Sequence, residues 1–208
     1  MNKYIVEFIG TFFLVLTIGL SGNPIAIGVV LAAMVYMGGY VSGAHYNPAI
    51  TLGVLLQKKI KAKQAGIYML VQLFAAMIAA ATYHYIQGGK MVVNPGLGVS
   101  FGSAFAIEAI FTFALVSVVL HTAVNKKTKG NDYYGVAIGF VLMAAAFAGG
   151  HISGGAFNPA VGLGPDIYYW SYLSNHISDL WLYLLAPLLG GAVASYIYGI
   201  TTATKSKD

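Results

Sequence analysis

The sequence lacks two residue types entirely and carries few charges of any kind. Its 208 residues contain no cysteine and no arginine, and 8% are charged against 58% that are hydrophobic. The missing cysteine excludes disulfides and thiolate metal sites. A soluble domain typically carries about 25% charged residues. Because this chain has too little polar surface to face water on all sides, it is predicted to be a membrane protein.

Long apolar stretches separate the few basic residues. The lysines are Lys3, Lys58, Lys59, Lys61, Lys63, Lys90, Lys126, Lys127, Lys129, Lys205 and Lys207. The apolar stretches cover about 4–20, 25–41, 64–86, 101–124, 133–150 and 180–201. Since a bilayer core of about 30 Å requires about 20 helical residues, the pattern predicts an all-α protein with six transmembrane helices.

The distribution of lysine predicts the orientation. With six spans, the N-terminus, the loops 57–63 and 125–132 and the C-terminus share one side, and only Lys90 lies on the other. Positive charge is retained in the cytoplasm, so both termini are predicted to be cytoplasmic, in a plasma (inner) membrane. These lysines are interpreted as topology anchors and not as a nucleic-acid site. The first span is expected to be a retained helix, because Glu7 interrupts it and no convincing signal-peptide cleavage site follows.

The two halves of the chain repeat each other. The segment "EFIGTFFLVLTI" at 7–18 resembles "EAIFTFALVSVV" at 108–119, and "VSGAHYNPAITLG" at 41–53 resembles "ISGGAFNPAVGLG" at 152–164. Each half contains three spans, an odd number, so the second half enters the membrane from the opposite face. We therefore expect one domain, 1–208, built from inverted repeats at about 3–86 and 101–201, with a solute site where discontinuous helices meet.

Each repeat contains an Asn-Pro-Ala segment before an apolar stretch too short to span a bilayer. The two segments are Asn47, Pro48 and Ala49, and Asn158, Pro159 and Ala160, and the stretches are 49–57 and 160–170. A single Asn-Pro pair is usually just a helix start, as we interpret "SGNPIA" at 21–26. Two copies, each after a Ser-Gly loop, instead predict two re-entrant half-helices, which are tolerated only where they are buried in protein or line a watery cavity.

These residues resemble the aquaporin and glycerol-facilitator family (major intrinsic proteins). The resemblance is carried by "SGAHYNPAITLG", "SGGAFNPAVGLG", the paired glutamates and the six spans, and it covers about residues 3–201. It implies six tilted helices plus two half-helices that meet at the centre, in a homotetramer with one pore per protomer. It also implies a passive channel for water and small uncharged solutes, with neither cofactor nor catalysis.

The chemistry of the predicted pore residues is consistent with such a channel. The amides of Asn47 and Asn158 can donate to a passing oxygen, and both half-helix N-termini would direct positive dipole ends inward, which disfavours cations and proton relay, as is known for aquaporin-type pores. The loop carbonyls expected to accept hydrogen bonds along the pore are those of Gly43, Ala44, His45, Gly154, Gly155 and Ala156.

Glu7 and Glu108 are acids inside predicted spans, which by default indicates a functional site. We expect them to hydrogen-bond to the loops, as the resemblance also implies. No metal site is predicted, because His45 and His151 lack a third ligand at suitable spacing. His45 is expected to brace its loop, and His151 to line the outer mouth of the pore.

The resemblance places a four-residue outer filter at Ile27, Ala146, Ala156 and Val161. Family members usually carry an arginine at the last of these positions, and glycerol facilitators usually carry an aspartate at the next, which here is Gly162. The predicted filter is therefore apolar and free of arginine. Glycerol, urea and ammonia become plausible solutes beside water.

Two alternatives stay open at this point. An apolar constriction can exclude water by dewetting, so a poorly conducting structural or adhesive membrane protein is one of them. A membrane-embedded enzyme that uses Glu7 and Glu108 is the other.

Overall fold

The computed structural model describes residues 2–170 and 177–203, and this part of the chain is helical with short connections and no strand. Six helices are long and apolar enough to cross a membrane. They are α1 (Asn2–Ser21), α2 (Pro24–Ser42), α4 (Ala62–Gln87), α5 (Phe101–Val119, continued by a π-helical turn Leu120–Val124), α6 (Tyr134–Ser153) and α8 (Ile177–Thr202). The predicted all-α architecture with six spans is confirmed. Lys205 and Lys207 lie outside the described residues.

Besides a single 3₁₀ turn at Lys126–Thr128, the described residues contain two further α-helices that are too short to span a bilayer. They are α3 (Pro48–Leu56), with nine residues, and α7 (Pro159–Tyr168), with ten. A ten-residue helix is about 15 Å long, half of a hydrocarbon core. Both lie where the sequence predicts a re-entrant stretch.

The three helices that follow an Asn-Pro pair begin in the same way. Asn23, Asn47 and Asn158 each have extended backbone dihedrals, and each side chain accepts a hydrogen bond from the backbone N–H two residues later. The proline after each asparagine has no N–H to leave unpaired in the first turn. The segment 21–26 is thus a helix start, as expected.

Each short helix packs against a long helix from the other half of the chain. Helix α3 packs against α8, and α7 packs against α4. Close approach depends on glycine: a Cβ at Gly191 of α8 would lie 2.7 Å from the carbonyl oxygen of Ala49, and a Cβ at Gly28 of α2 would lie 2.6 Å from that of Gly139 in α6. The contact at Gly191 brings the start of the short helix α3 directly against the backbone of α8.

Candidate functional site

The N-terminal tips of the two short helices meet inside the protein. Asn47 Nδ2 donates to the carbonyl oxygen of Phe157 at 2.9 Å, and Asn158 Nδ2 donates to the carbonyl oxygen of Tyr46 at 2.9 Å. Each asparagine Oδ1 accepts from the backbone N–H of its own helix start. A primary amide has two N–H groups, so each asparagine retains one N–H that these contacts do not use.

The two loops before the asparagines have matching backbone conformations. Residues 111 positions apart share positive φ angles: Gly43 and Gly154 at 91° and 87°, Ala44 and Gly155 at 50° and 70°, Tyr46 and Phe157 at 51° and 48°. The left-handed region is unfavourable for residues with a Cβ, so Ala44, Tyr46 and Phe157 need external contacts to hold it.

Glu7 supplies those contacts in the first half. Its Oε1 accepts from Ser42 Oγ at 2.7 Å and from the N–H of His45 at 2.9 Å, and its Oε2 accepts from the N–H of Tyr46 and from Gln72 Nε2, both at 2.8 Å. The carboxyl group is fully buried. Since two of its partners are backbone N–H groups, which can only donate, it acts as an acceptor.

Glu108 occupies the corresponding place in the second half. Its Oε1 accepts from Ser153 Oγ at 2.7 Å and from the N–H of Ala156 at 2.9 Å, while Oε2 accepts from the N–H of Phe157 at 2.6 Å. Both predicted structural acids therefore hydrogen-bond to the loop before an asparagine.

A polar network that the sequence analysis missed joins the first loop to α4. Gln72 Nε2 also donates to Thr51 Oγ1 at 3.1 Å, Thr51 Oγ1 donates to the carbonyl oxygen of Asn47 at 3.0 Å, and His45 Nδ1 lies 3.1 Å from Thr51 Oγ1. The His45 ring also contacts Tyr68 edge-on. These contacts place the His45 side chain where a residue that braces its loop is expected. The sequence signal that could have indicated this network is Gln72, a polar residue inside the predicted span 64–86.

The second half uses different residues at the equivalent places. Tyr183, 111 positions after Gln72, donates its hydroxyl hydrogen to the carbonyl oxygen of Ser153. Gly162, 111 positions after Thr51, lies so close that an added Cβ would come within 2.6 Å of Tyr183 Cγ. Glycine at 162 is thus required by the ring of Tyr183. The sequence analysis also missed Asp166, which is buried in α7.

The asparagines line one internal cavity. Its volume is about 10 Å³, enough for roughly one water molecule. Its lining consists of Leu14, Ile18, Leu31, His45, Tyr46, Asn47, Ile50, Leu115, Leu142, Ala156, Asn158 and Val161. Most of these side chains are apolar, and His45, Asn47 and Asn158 supply the polar groups.

The four predicted filter positions divide into two pairs. Ala156 and Val161 line the cavity together with Asn158. Ile27 is buried in the core beside Leu31, Ala146 is half-buried, and neither is among the described residues that line the cavity. The placement of Ile27 and Ala146 in a filter stays a prediction.

The backbone carbonyl groups of the two loops before Asn47 and Asn158 are hydrogen-bond acceptors near the cavity. No hydrogen bond within the described residues reaches the carbonyl oxygens of 43–45 or 154–156. Ala44, His45 and Ala156 are buried, Gly154 and Gly155 are half-buried, and Gly43 is exposed, so these carbonyl oxygens lie beside the asparagines and can each accept a hydrogen bond.

The connection between α4 and α5 covers the second loop. Gly96 N donates to the carbonyl oxygen of Ile152 at 2.9 Å, and a Cβ at Gly154 would lie 2.6 Å from the carbonyl oxygen of Asn94. His151 is exposed at this end of α6. The part of the chain that the structure describes contains no group of three metal-ligating side chains.

Comparison with known families and proteins gives consistent matches over the whole chain. The sequence profile of the family described as "Major intrinsic protein" matches residues 1–198. The chain is 31% identical to "Aquaporin NIP3-1" of Arabidopsis thaliana, over 99% of this chain and 69% of that protein. It is 32% identical to "Glycerol uptake facilitator protein-like 6" of Lactiplantibacillus plantarum, over 94% of this chain and 96% of that protein.

A solved structure shares the fold. The crystal structure of the aquaglyceroporin from Plasmodium falciparum superposes with a TM-score of 0.80 and covers 94% of both chains, at 24% sequence identity. At this identity the similarity concerns the arrangement of the helices.

Proposed function

Because this chain belongs to the major intrinsic protein family, whose members are membrane channels and not enzymes, we propose that it conducts water and small uncharged solutes through an arginine-free, apolar filter. The observation that carries the proposal is the shared cavity of Asn47 and Asn158. Each amide holds the opposite loop with one N–H and offers the other to a solute oxygen.

The polar groups beside this cavity suit a neutral, hydrogen-bonding solute. Two amide N–H groups are donors, and the carbonyls of 43–45 and 154–156 are acceptors. A molecule with a lone pair and a polar hydrogen, such as water, can exchange bulk hydrogen bonds for these. The apolar remainder of the lining offers nothing to replace the hydration shell of an ion.

Cations are further disfavoured by the two short helices. Each directs its N-terminus at the centre, where its macrodipole is equivalent to about half a positive charge. A water molecule between the asparagines must then point its oxygen at both amides, which opposes a proton relay.

The outer filter determines which solutes pass. Val161 supplies neither charge nor a hydrogen-bond donor, and Ala156 is small, so larger neutral solutes such as glycerol, urea and ammonia meet no polar barrier there. We propose that this pair, with Ile27 and Ala146 on the flanking helices, forms the constriction.

Assembly and placement in the cell are proposed from the same relationship. The aquaporin-like fold and the inverted repeat support a homotetramer with one pore in each protomer. The lysine distribution supports a plasma-membrane protein with both termini in the cytoplasm.

Flux through reconstituted protein tests the proposal. Proteoliposomes subjected to an osmotic step should shrink faster than empty vesicles, and water, glycerol, urea and ammonia should be compared in one preparation. Val161→Arg should reduce the flux of the larger solutes more than that of water, because it adds a long charged side chain to the narrow cavity. Val161→Thr, of nearly equal volume, is the matched control.

The outcomes distinguish a conducting channel from a poorly conducting structural protein. A shrinkage rate equal to that of empty vesicles would show a poorly conducting structural protein, because the lining would then be too apolar to stay wet. If glycerol and urea fluxes were the same in Val161→Arg and wild type, Val161 would not lie at the constriction.

A further inference from the structure

A second concave site lies on the face of the protein that carries the loop 57–63. It is a groove of about 660 Å³ between the C-terminal end of α3 and the last turns of α8. Its walls include Leu56, Gln57, Ser195, Tyr196, Gly199 and Ile200. These residues do not line the central cavity, so the groove is separate from the pore.

The groove is lined by one hydrogen-bonded polar side chain and by several exposed apolar ones. Gln57 Nε2 donates to both the carbonyl oxygen and the hydroxyl of Ser195 at 2.7 Å, which makes Gln57 part of the framework. Leu56, Tyr196 and Ile200 are 49%, 69% and 58% exposed. The α8 side belongs to a membrane span that ends at Thr202, so the groove lies where the hydrocarbon core meets the headgroups.

The chain segment that follows the groove residue Gln57 is basic. Lys58 and Lys59 follow Gln57 directly, with Lys61 and Lys63 behind them, and the segments 48–64 and 190–203 contain no acid. Lys58 has a φ of 57°, in the left-handed region that is unfavourable for a residue with a Cβ. The turn is closed by hydrogen bonds from Lys58 N to Leu55 O and from Lys59 N to Val54 O. These bonds fix the backbone of both lysines directly after Gln57, which lines the groove.

We propose that this groove binds an anionic phospholipid. An acyl chain lies along Leu56, Gly199 and Ile200, and the phosphate meets the ammonium groups of Lys58 and Lys59. Charge complementarity selects an anionic headgroup over a zwitterionic one. The position at the membrane boundary selects a lipid over a peptide, whose backbone polar groups would be left unpaired against hydrocarbon.

Gly199 provides a direct way to close the groove. A Cβ at this position would have as its nearest neighbour Gln57 Nε2, at 3.9 Å, so a larger side chain enters open space without displacing backbone. Gly66 of α4 is a matched position, since a Cβ there meets nothing within 4 Å. Gly199→Leu and Gly66→Leu therefore make the same chemical change inside and outside the groove.

The test is native mass spectrometry of the purified protein titrated with phosphatidylglycerol or phosphatidylcholine of identical acyl chains. A basic residue near a lipid phosphate strengthens binding about fivefold, so two lysines predict phosphatidylglycerol binding about 25-fold tighter than phosphatidylcholine. Lys58→Gly combined with Lys59→Gln should reduce this preference at least fivefold, and glycine also suits the left-handed backbone. Gly199→Leu should abolish tight binding of both lipids, whereas Gly66→Leu should leave it unchanged.

The control for charge is Lys126→Gln combined with Lys127→Gln, which removes two lysines from the other basic loop. Equal binding of the two lipids by the wild type would overturn the proposal. So would a loss of preference in the Lys126 and Lys127 variant as large as in the Lys58 and Lys59 variant, because the attraction would then be non-specific. A change of oligomeric mass in Gly199→Leu would show that the groove is a contact between copies of the chain, and this also overturns the proposal.

Discussion

Replacing Glu108 with glutamine tests the role of the buried acids. Glutamine has nearly the same shape but one acceptor oxygen instead of two. Its best orientation keeps the carbonyl oxygen at the position of Oε1, where Ser153 Oγ and the N–H of Ala156 still donate. The new NH₂ group then faces the N–H of Phe157, which donates to Oε2 in the wild type.

The expected loss follows from these three bonds. Leaving the buried N–H of Phe157 without an acceptor costs about 1–3 kcal/mol, and changing the two retained bonds from charged to neutral costs about 1 kcal/mol each. Glu108→Gln should therefore destabilise the protein by about 3–5 kcal/mol. For a chain of this length that corresponds to a lowering of the melting temperature by about 10 °C.

Thermal unfolding in detergent, followed by the loss of the monodisperse peak in size-exclusion chromatography, measures this effect. Thr112→Val is the matched control, because Thr112 lies one helical turn from Glu108 and its buried hydroxyl has no hydrogen-bond partner among the described residues. This control should melt at or above the wild-type temperature. The reasoning is refuted if Glu108→Gln melts with the wild type, or if Thr112→Val falls as far.

Two further substitutions test the centre of the fold. Asn158→Asp replaces the donor to the carbonyl of Tyr46 with a negative charge, which offsets the positive ends of the two helix dipoles. Potassium leak from loaded proteoliposomes should therefore rise. A potassium leak equal to that of wild type would contradict this prediction. Gly162→Ala should lower the melting temperature through overpacking against Tyr183, at a cost of about 1–3 kcal/mol, while Gly66→Ala, in open space, should not. Equal melting of the two alanine variants would show that the ring of Tyr183 does not constrain residue 162.

Much of the architecture follows from local sequence patterns. Hydropathy determines six spans because about 20 apolar residues match the bilayer. The two short helices follow from Asn-Pro starts and from stretches half that length. The acids Glu7 and Glu108 stand out because a charge within an apolar span is costly. Each of these signals is contained within a few turns of chain.

The contacts of the centre required the tertiary structure. The side-chain amides of Asn47 and Asn158 donate to carbonyl oxygens of the opposite loop. These hydrogen bonds join residues that are 110 and 112 positions apart in the sequence. Gln72 of α4 donates to Glu7, whereas α8 places Tyr183 at the equivalent position. This difference depends on which side chain each helix directs into the protein. Helical periodicity specifies an apolar face but not the rotation of a helix within an almost uniformly apolar span.

The four predicted filter positions differ in the same way. Ala156 and Val161 reach the cavity because they lie within three residues of Asn158, so the sequence by itself determined their place. Ile27 and Ala146 lie on long helices, where the contact between Gly28 and Gly139 sets the rotation. A few residues of chain limit how far a side chain can be from its neighbour, whereas the relative position of distant helices is decided only by how their surfaces pack.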